Sequence, residues 1–506
     1  MSQILIATSI APKNIENQRK AVDSWIKAGF DVVSLNCKEE YDLIHRYFTD
    51  IRFEIVGRDA RAELGKPYIY FDDFMKFFQG SNYEICGIIN SDNHLIDTDC
   101  RLGEFICREA KKGFLFGSRL EVKSLEEKNG MIFEHGFDYF FFDKQVSFIY
   151  PKNDFCIGQP VWDYWVVYIP IIKGIEVKKV VNPLAYHVSH AINWDMDNIN
   201  KYIKKLLLKD ELTGMEEFGE KVDFSYYCLN MVELINNRSK KVYYSNHASS
   251  KEVVIVYERR GAEQDKSETY KSIRNQTYKY IKVIEGEAGK IDIDSIDGEL
   301  LCFVKEGTIL ADHYAEIMAD SISDYDYAVC GIRILHKKDY SIENVYPVNN
   351  ETWEIDENKL LEECVMYKKE TLKKIALNSE SLKKMKMKFI GQGLVKMSME
   401  TYLTGYLNKR LNKTKRDKLY IYAAGGHTKK LLDNIDFSKY NLCGFVDKDI
   451  SLEGTSLAGK PIYHVDKISE LDIDYILISS HSYESEIYRE LCKFLDPNKI
   501  IRIYNR

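Results

Sequence analysis

Three short apolar runs constrain this chain more than any other feature. They are Ile4-Leu5-Ile6-Ala7-Thr8-Ser9, Val253-Val254-Ile255-Val256-Tyr257 and Leu419-Tyr420-Ile421-Tyr422, and none alternates with polar residues. A strand that is apolar on both faces must be covered on both faces. That is the pattern of a parallel sheet sandwiched between helices. The residues after the first run agree: a helix is expected from about Asn14 to Gly29, a strand at 31–36, a helix at 71–78 and a strand at 83–90. The expected fold class is α/β, in three modules of mostly parallel sheet with flanking helices. A chain of 506 residues has room for three such modules.

Composition excludes several alternatives. With 45% hydrophobic and 29% charged residues, the chain has the balance of a folded globular protein. The longest apolar run, Val166 to Ile172, stops at Lys173, far short of the ~20 residues that span a membrane. The start, MSQILIATSIAP, has neither the basic nor the long apolar region of a signal peptide. A net charge of −7 gives no reason to expect nucleic acid. Eleven scattered cysteines without CxxC spacing argue against zinc or disulfides. They point to a cytoplasmic protein.

The expected division is 1–195, a helical connector at 196–250 containing a helix near 197–208, 251–376, a basic helical linker at 377–417, and 418–506. Between Leu372 and Lys418 there are 13 Lys/Arg and three acids. Such a stretch suits peripheral contact with the anionic inner face of a membrane, or a solvated helix.

In the first module, the strand YEICGIIN runs into Ser91-Asp92-Asn93. Polar and acidic residues at the carboxyl end of a buried strand stand where open α/β sheets bind ligands. Read plainly, the triplet is an Asx turn. Asn90-Ser91-Asp92 also resembles the D-x-D motif of GT-A-type glycosyltransferases, with Asn in place of the first Asp. That resemblance implies a nucleotide-sugar donor held through Mg²⁺ or Mn²⁺, with Asp92 and either His187 or His190 as metal ligands. Asn90 and Ser91 would join the donor contacts; by position in loops at the sheet edge, Thr8, Ser9 and Asn36 would lie near a nucleoside base, and Arg58 and Lys66 would meet a diphosphate. Asp163, in Gly158-Gln159-Pro160-Val161-Trp162-Asp163-Tyr164-Trp165, would be the base that deprotonates an acceptor hydroxyl. Trp162 and Trp165 would stack on an acceptor sugar. Asp138, in a strand that otherwise reads as core, is an acceptor-site candidate.

Segment 253–376 resembles family-2 glycosyltransferases in its scaffold, including Ser272-Ile273-Arg274-Asn275-Gln276-Thr277-Tyr278. Where the acidic motif should follow Leu300-Leu301-Cys302-Phe303, the chain reads Val304-Lys305-Glu306-Gly307. The expectation is a degenerate, pseudo-transferase module. In the third segment, Ala423-Ala424-Gly425-Gly426-His427-Thr428 and Phe445-Val446-Asp447 resemble the small Rossmann-like domain of bacterial sugar-modifying enzymes. Gly425, Gly426, His427 and Asp447 would then border a nucleotide.

The whole reads as a glycosyltransferase acting on a hydroxyl of a glycan, lipid-linked or protein acceptor in surface-glycan synthesis. The rivals are a scaffold of degenerate transferase domains and a nucleotidyl or sugar-phosphate transferase. Donor sugar, stereochemistry and homo-oligomerisation stay open.

Overall fold

The computed structural model describes residues 4–96, 100–126, 129–189, 224–245, 249–259, 267–287, 289–335, 342–349, 352–356, 360–378, 382–410, 417–480 and 483–504. The helix expected near 197–208 lies outside them. Contacts divide the chain into two units, Met1–Asn246 and His247–Arg506. Among the described residues, no helix is long and apolar enough to cross a membrane.

In the first unit the strands, in chain order, are β1 (Ile4–Thr8), β2 (Asp31–Asn36), β3 (Arg52–Ile55), β4 (Ile85–Ile89), β5 (Asn93–Leu95), β6 (Gly113–Gly117), β7 (Leu120–Val122), β8 (Gly130–Ile132), β9 (Tyr139–Asp143), β10 (Glu176–Val180), β11 (Ala185–Val188) and β12 (Lys240–Val242). The main sheet has the order β12-β10-β6-β9-β4-β1-β2-β3. It is parallel except for β9, which runs antiparallel to both neighbours. A smaller sheet, β5-β11-β7-β8, is formed by the segments that leave the main sheet.

The apolar runs are continuous because both faces of the main sheet are covered. Leu5, Ala7, Val33, Leu35, Cys86 and Ile88 face one core, shared with Phe71, Phe74 and Trp165. Ile4, Ile6, Val32, Ile85 and Ile89 face the other, shared with Trp25 and Phe105. The helix Ile15–Lys27 starts after Asn14 at φ 49° and is followed by Gly29 at φ 86°. Both residues bend the chain sharply, and both ends fall where the sequence placed them.

β4 is central and tightly flanked. A Cβ on Gly87 would stand 2.9 Å from the Phe140 carbonyl oxygen and 2.7 Å from the Phe141 ring. Gly87→Ala is therefore expected to destabilise the unit by about 1–3 kcal/mol, read as a lowered thermal midpoint.

The second unit holds two sheets. The first is built from β13 (Val253–Glu258), β14 (Ile281–Glu285), β15 (Leu300–Lys305), β16 (Thr308–Leu310), β17 (Tyr327–Leu335), β18 (Ile342–Val345), β19 (Val365–Lys368) and β20 (Met387–Ser398). Its order is β14-β13-β15-β19-β17-β20-β16, with β18 on β17. The second comprises β21 (Lys418–Tyr422), β22 (Asn441–Asp447), β23 (Ser456–Leu457), β24 (Lys460–His464), β25 (Tyr475–Ile478) and β26 (Ile500–Arg502). Its order is β23-β24-β22-β21-β25-β26.

One expectation is corrected here. Segment 377–417 is not a helical linker: β20 lies inside the sheet, parallel to β17 along its length and antiparallel to β16. The helix Met399–Arg410 then buries Met399, Tyr402, Leu403, Tyr406 and Leu407. The Tyr402 hydroxyl donates to the Ile503 carbonyl at 3.1 Å, tying this helix to the last sheet. The lysines drew attention to charge, while the apolar residues between them carry the strand.

Candidate active site at the edge of the N-terminal sheet

Because β9 is antiparallel, its first residue pairs with the last residues of β4 and β6: Tyr139 opposes both Ile89 and Gly117. The carboxyl ends of two parallel strands thus meet the entry to a third. Asp138 sits at that junction. Its N–H donates to the Gly117 carbonyl at 3.0 Å, and its carbonyl accepts from Asn90 N–H at 3.2 Å. Asn90 Nδ2 donates to Asp138 Oδ1 at 3.0 Å.

The smaller sheet brings the other charges. Its antiparallel β5–β11 pair sets His187 beside Asn93, next to Asp92, and its parallel β11–β7 pair sets His187 beside Glu121. His187 Nε2 lies 3.3 Å from Asp92 Oδ2, and Nδ1 lies 3.0 Å from Glu121 Oε2. Arg119, on the segment before β7, contacts Glu121 at 2.6 Å and also pairs with Asp138. Its guanidinium lies over the Phe133 ring, 4.2 Å from the centroid.

Three carboxylates, Asp92, Glu121 and Asp138, thus pair with one guanidinium and one imidazole. Burial works against charge on His187, but hydrogen bonding to Asp92 and Glu121 outweighs it and raises its pKa to about 9. Burial likewise opposes charge on Glu121, and His187 and Arg119 overcome it, lowering its pKa to about 2.

Asp163 opens the helix Trp162–Ile172. The preceding Val161 has φ 61°, a left-handed conformation that a β-branched residue rarely adopts. Strain of this kind collects at functional sites. Asp163 Oδ2 accepts the Phe137 N–H at 2.9 Å, so it is fixed against the residue before Asp138. Gly136 leaves room for it: a Cβ there would stand 2.9 Å from Asp163 Oδ2. Burial pushes the Asp163 carboxyl up to about 7; the charge of Asp138 adds to the shift, and the Phe137 N–H opposes it. A carboxylate poised near neutral pH is suited to proton transfer.

The donor set is chemically suited to a divalent cation. Asp92 supplies a hard oxygen and His187 an imidazole nitrogen. Glu121 backs the other ring nitrogen, as carboxylates do behind metal-bound histidines. A cation taking Nε2 would displace the imidazolium proton. Among the described residues, no group of three or more His, Cys, Asp or Glu side chains gathers to hold a metal. The remaining ligands would be water and phosphate oxygens, which Mg²⁺ favours. His190 lies outside the described residues.

Several expected contacts fall elsewhere. The Trp162 and Trp165 rings do not face an acceptor. They are buried in the core at 4% and 0% exposure, against Phe140 and Phe155 respectively. The side chains of Thr8 and Asn36 are also buried and occupied. Thr8 Oγ1 donates to the Ile89 carbonyl at 2.8 Å; Asn36 Nδ2 donates to the Ile10 carbonyl at 2.8 Å, and Asn36 Oδ1 accepts from Ser34. They shape the loop after β1 and leave no group turned toward a base. Ser91 donates to Gln18 Oε1 at 2.8 Å, and Ser9 is half-buried beside this loop. Arg58 pairs with Asp73 at 2.9 Å and lies over the Tyr70 ring, holding the loop after β3 to the helix Phe71–Gln79. Nothing in the sequence singles out Arg119 or Glu121.

In the second unit, Lys305 pairs with Glu362 at 2.9 Å. Glu306 accepts from the Tyr257 and Ser267 hydroxyls. Gln276 clamps the loop after β16, bonding the Ala311 carbonyl and the Ala315 N–H. In the last sheet, Gly425 and Gly426 are exposed at the start of the helix Gly426–Asn434. His427 is held between Ser479 Oγ at 2.9 Å and the Tyr504 hydroxyl at 2.7 Å. The Asp447 carboxylate accepts from Ala424 N–H at 2.6 Å and Asp449 N–H at 2.9 Å. It braces the turn, where Ala423 stands at φ 75°. Asp447→Ala is expected to cost about 1–3 kcal/mol, seen as a lower unfolding midpoint with no ligand present.

No curated protein matches the chain. Among solved structures, S. aureus TarS 1-349 in complex with UDP-GlcNAc is similar at 10% identity and a TM-score of 0.28, over 46% of this chain and 80% of that one. HddC from Yersinia pseudotuberculosis is similar at 9% identity and a TM-score of 0.22, over 32% of this chain and 85% of that one. UDP-D-quinovosamine 4-dehydrogenase from Vibrio fischeri is similar at 22% identity and a TM-score of 0.14, over 18% of this chain and 79% of that one. Residues 415–501 match the family described as C2185-like, N-terminal.

Proposed function

We propose that the N-terminal unit is a glycosyltransferase that moves a sugar from a nucleotide-sugar to a hydroxyl acceptor. The observation that carries this reading is the placement of Asp163: a carboxylate with its pKa raised to about 7, on a helix start that contacts the junction of β4, β6 and β9. Asp163 takes the acceptor hydroxyl proton as that oxygen bonds to the anomeric carbon. The bond from the anomeric carbon to the diphosphate oxygen breaks, and the nucleoside diphosphate leaves. Asp92 and His187 would hold Mg²⁺ or Mn²⁺, which when bound offsets the charge of the diphosphate. Asp138 and Arg119 set the charge between that corner and the base.

For the middle module of the second unit we favour a non-catalytic role. Lys305 and Glu306 stand where the resemblance calls for a pair of aspartates, and both are engaged with neighbours, Glu306 with the Ser267 hydroxyl. The last module keeps an open glycine turn of the kind that admits a phosphate.

The test is a thermal-shift panel on the full chain, using UDP, GDP, CDP and their sugars with and without Mn²⁺. A ligand at 100 times its Kd adds about 2.7 kcal/mol of stability. The reading expects a Mn²⁺-dependent shift with one nucleotide series, lost in Asp92→Ala. A shift that survives Asp92→Ala would move nucleotide binding away from this site. No shift with any nucleotide would favour the scaffold reading.

A further inference from the structure

Asp138 is 2% exposed, and its two carboxylate oxygens are treated differently. Oδ1 accepts from Asn90 Nδ2 and pairs with Arg119. Oδ2 is buried and has no hydrogen-bond partner. Asn93 also carries a buried oxygen without a hydrogen-bond partner. Asn93, fully buried, donates from Nδ2 to the Asp138 carbonyl at 3.3 Å, while its Oδ1 has no partner. An unsatisfied buried acceptor is costly, more so when charged, so Asp138 Oδ2 calls for a group that donates to it.

A cation fits Asp138 Oδ2 poorly. The Arg119 guanidinium already sits on the same carboxylate and would repel it. A hydroxyl carries no charge and donates one hydrogen bond. Position adds to the argument. Through Asn90, Asp138 touches the triplet that ends at Asp92, and its charge is felt at Asp163. It therefore stands between the corner that would take the diphosphate and the base that would take the acceptor proton. In a transfer reaction that is where the migrating sugar lies.

We propose that Asp138 Oδ2 accepts a hydrogen bond from a hydroxyl of the donor sugar, and that Asn90 is the residue that aims it. This rests on the glycosyltransferase reading of the same site. It gives the Asn of the triplet a task of its own: where a second carboxylate would compete for cations, the amide turns Asp138 toward the sugar. Asp138 is then a specificity residue for the sugar, separate from the nucleotide.

The test uses the full chain, calorimetry with Mn²⁺, and three probe classes: UDP and GDP, their hexose conjugates, and the single-deoxy analogues of the conjugate that binds best. In the wild type, one deoxy analogue should bind roughly ten- to a hundredfold more weakly than its parent, the worth of a hydrogen bond to a charged group. In Asp138→Asn the nucleoside diphosphate should keep its affinity within about threefold, while the parent conjugate falls to the level of that deoxy analogue. Asn90→Ala should narrow the gap without closing it. If every deoxy analogue binds the wild type like its parent, or if Asp138→Asn keeps the discrimination, Asp138 holds only a water and the proposal falls while the glycosyltransferase reading stands. If no nucleotide binds the wild type, both fall. Should Asp138→Asn fail to fold, the wild-type deoxy series decides the question alone.

Discussion

Asp163→Asn is expected to lower sugar transfer by about 10²–10⁴-fold, the usual contribution of a positioned general base, while leaving nucleotide affinity unchanged. Asparagine keeps the size of the side chain and an oxygen to accept the Phe137 N–H, so the helix start is preserved. It cannot take a proton. Two pH signatures accompany the loss. In the wild type, kcat/KM should rise with pH to a plateau, with an apparent pKa near 7, because only the ionised carboxylate is a base. Stability should move the other way. The folded pKa of about 7 lies above the ordinary 3.8, so the folded state holds this proton more tightly than the unfolded chain does. The stabilising contribution is full below about pH 4 and is lost as the pH rises through 7. Asp163→Asn removes that dependence, so its thermal midpoint should gain on the wild type between pH 5 and pH 8. A residue that merely capped a helix would show the opposite balance: lost stability and unchanged turnover.

The second large effect is structural. Arg119→Ala would leave Asp138, with a side chain 2% exposed, and Glu121, 23% exposed, facing each other without the guanidinium between them. Breaking a buried ion pair from one side typically costs about 3–5 kcal/mol, and in a unit of this size each kcal/mol lowers the midpoint by about 2–4 °C. A fall of roughly 10 °C is the expected calorimetric result. Arg61 makes the contrast: its pair with Glu39 is exposed on both sides, and Arg61→Ala should leave the midpoint nearly unchanged.

Much of the main architecture was legible because burial on both faces of a sheet writes itself as an unbroken apolar run. Ile4–Thr8, Asp31–Asn36 and Ile85–Ile89 are strands for that reason. β20 was hidden by its own lysines: Lys388 and Lys396 raise the local charge while Phe389, Leu394, Val395 and Met397 pack inside. In the sequence, Trp162 and Trp165 read as sugar-stacking rings because an acid lies between them. Yet the helix they belong to is apolar nearly all round, and such a helix is buried.

The site divides in the same way. Asp92, His187 and Asp163 stand at strand ends and a helix start, where position alone marks a polar residue. The polar side chains of Thr8 and Asn36 stand at strand ends too, but they turn inward to bind their own loop, which no spacing reveals. Arg119 and Glu121 belong to a short segment whose partners, Asp138 and His187, lie 19 and 66 residues away. The β6–β9 pairing brings Asp138 to Arg119, and the small sheet brings His187 to Glu121.

The most direct test of the central claim is the release of nucleoside diphosphate from a panel of UDP-, GDP- and CDP-sugars by the full chain with Mn²⁺. Release is expected from one nucleotide-sugar, quickened by its acceptor and lost in both Asp163→Asn and Asp92→Ala while each variant still unfolds cooperatively. Release of pyrophosphate or sugar phosphate in its place, turnover untouched by both replacements, or no release from any donor would contradict it.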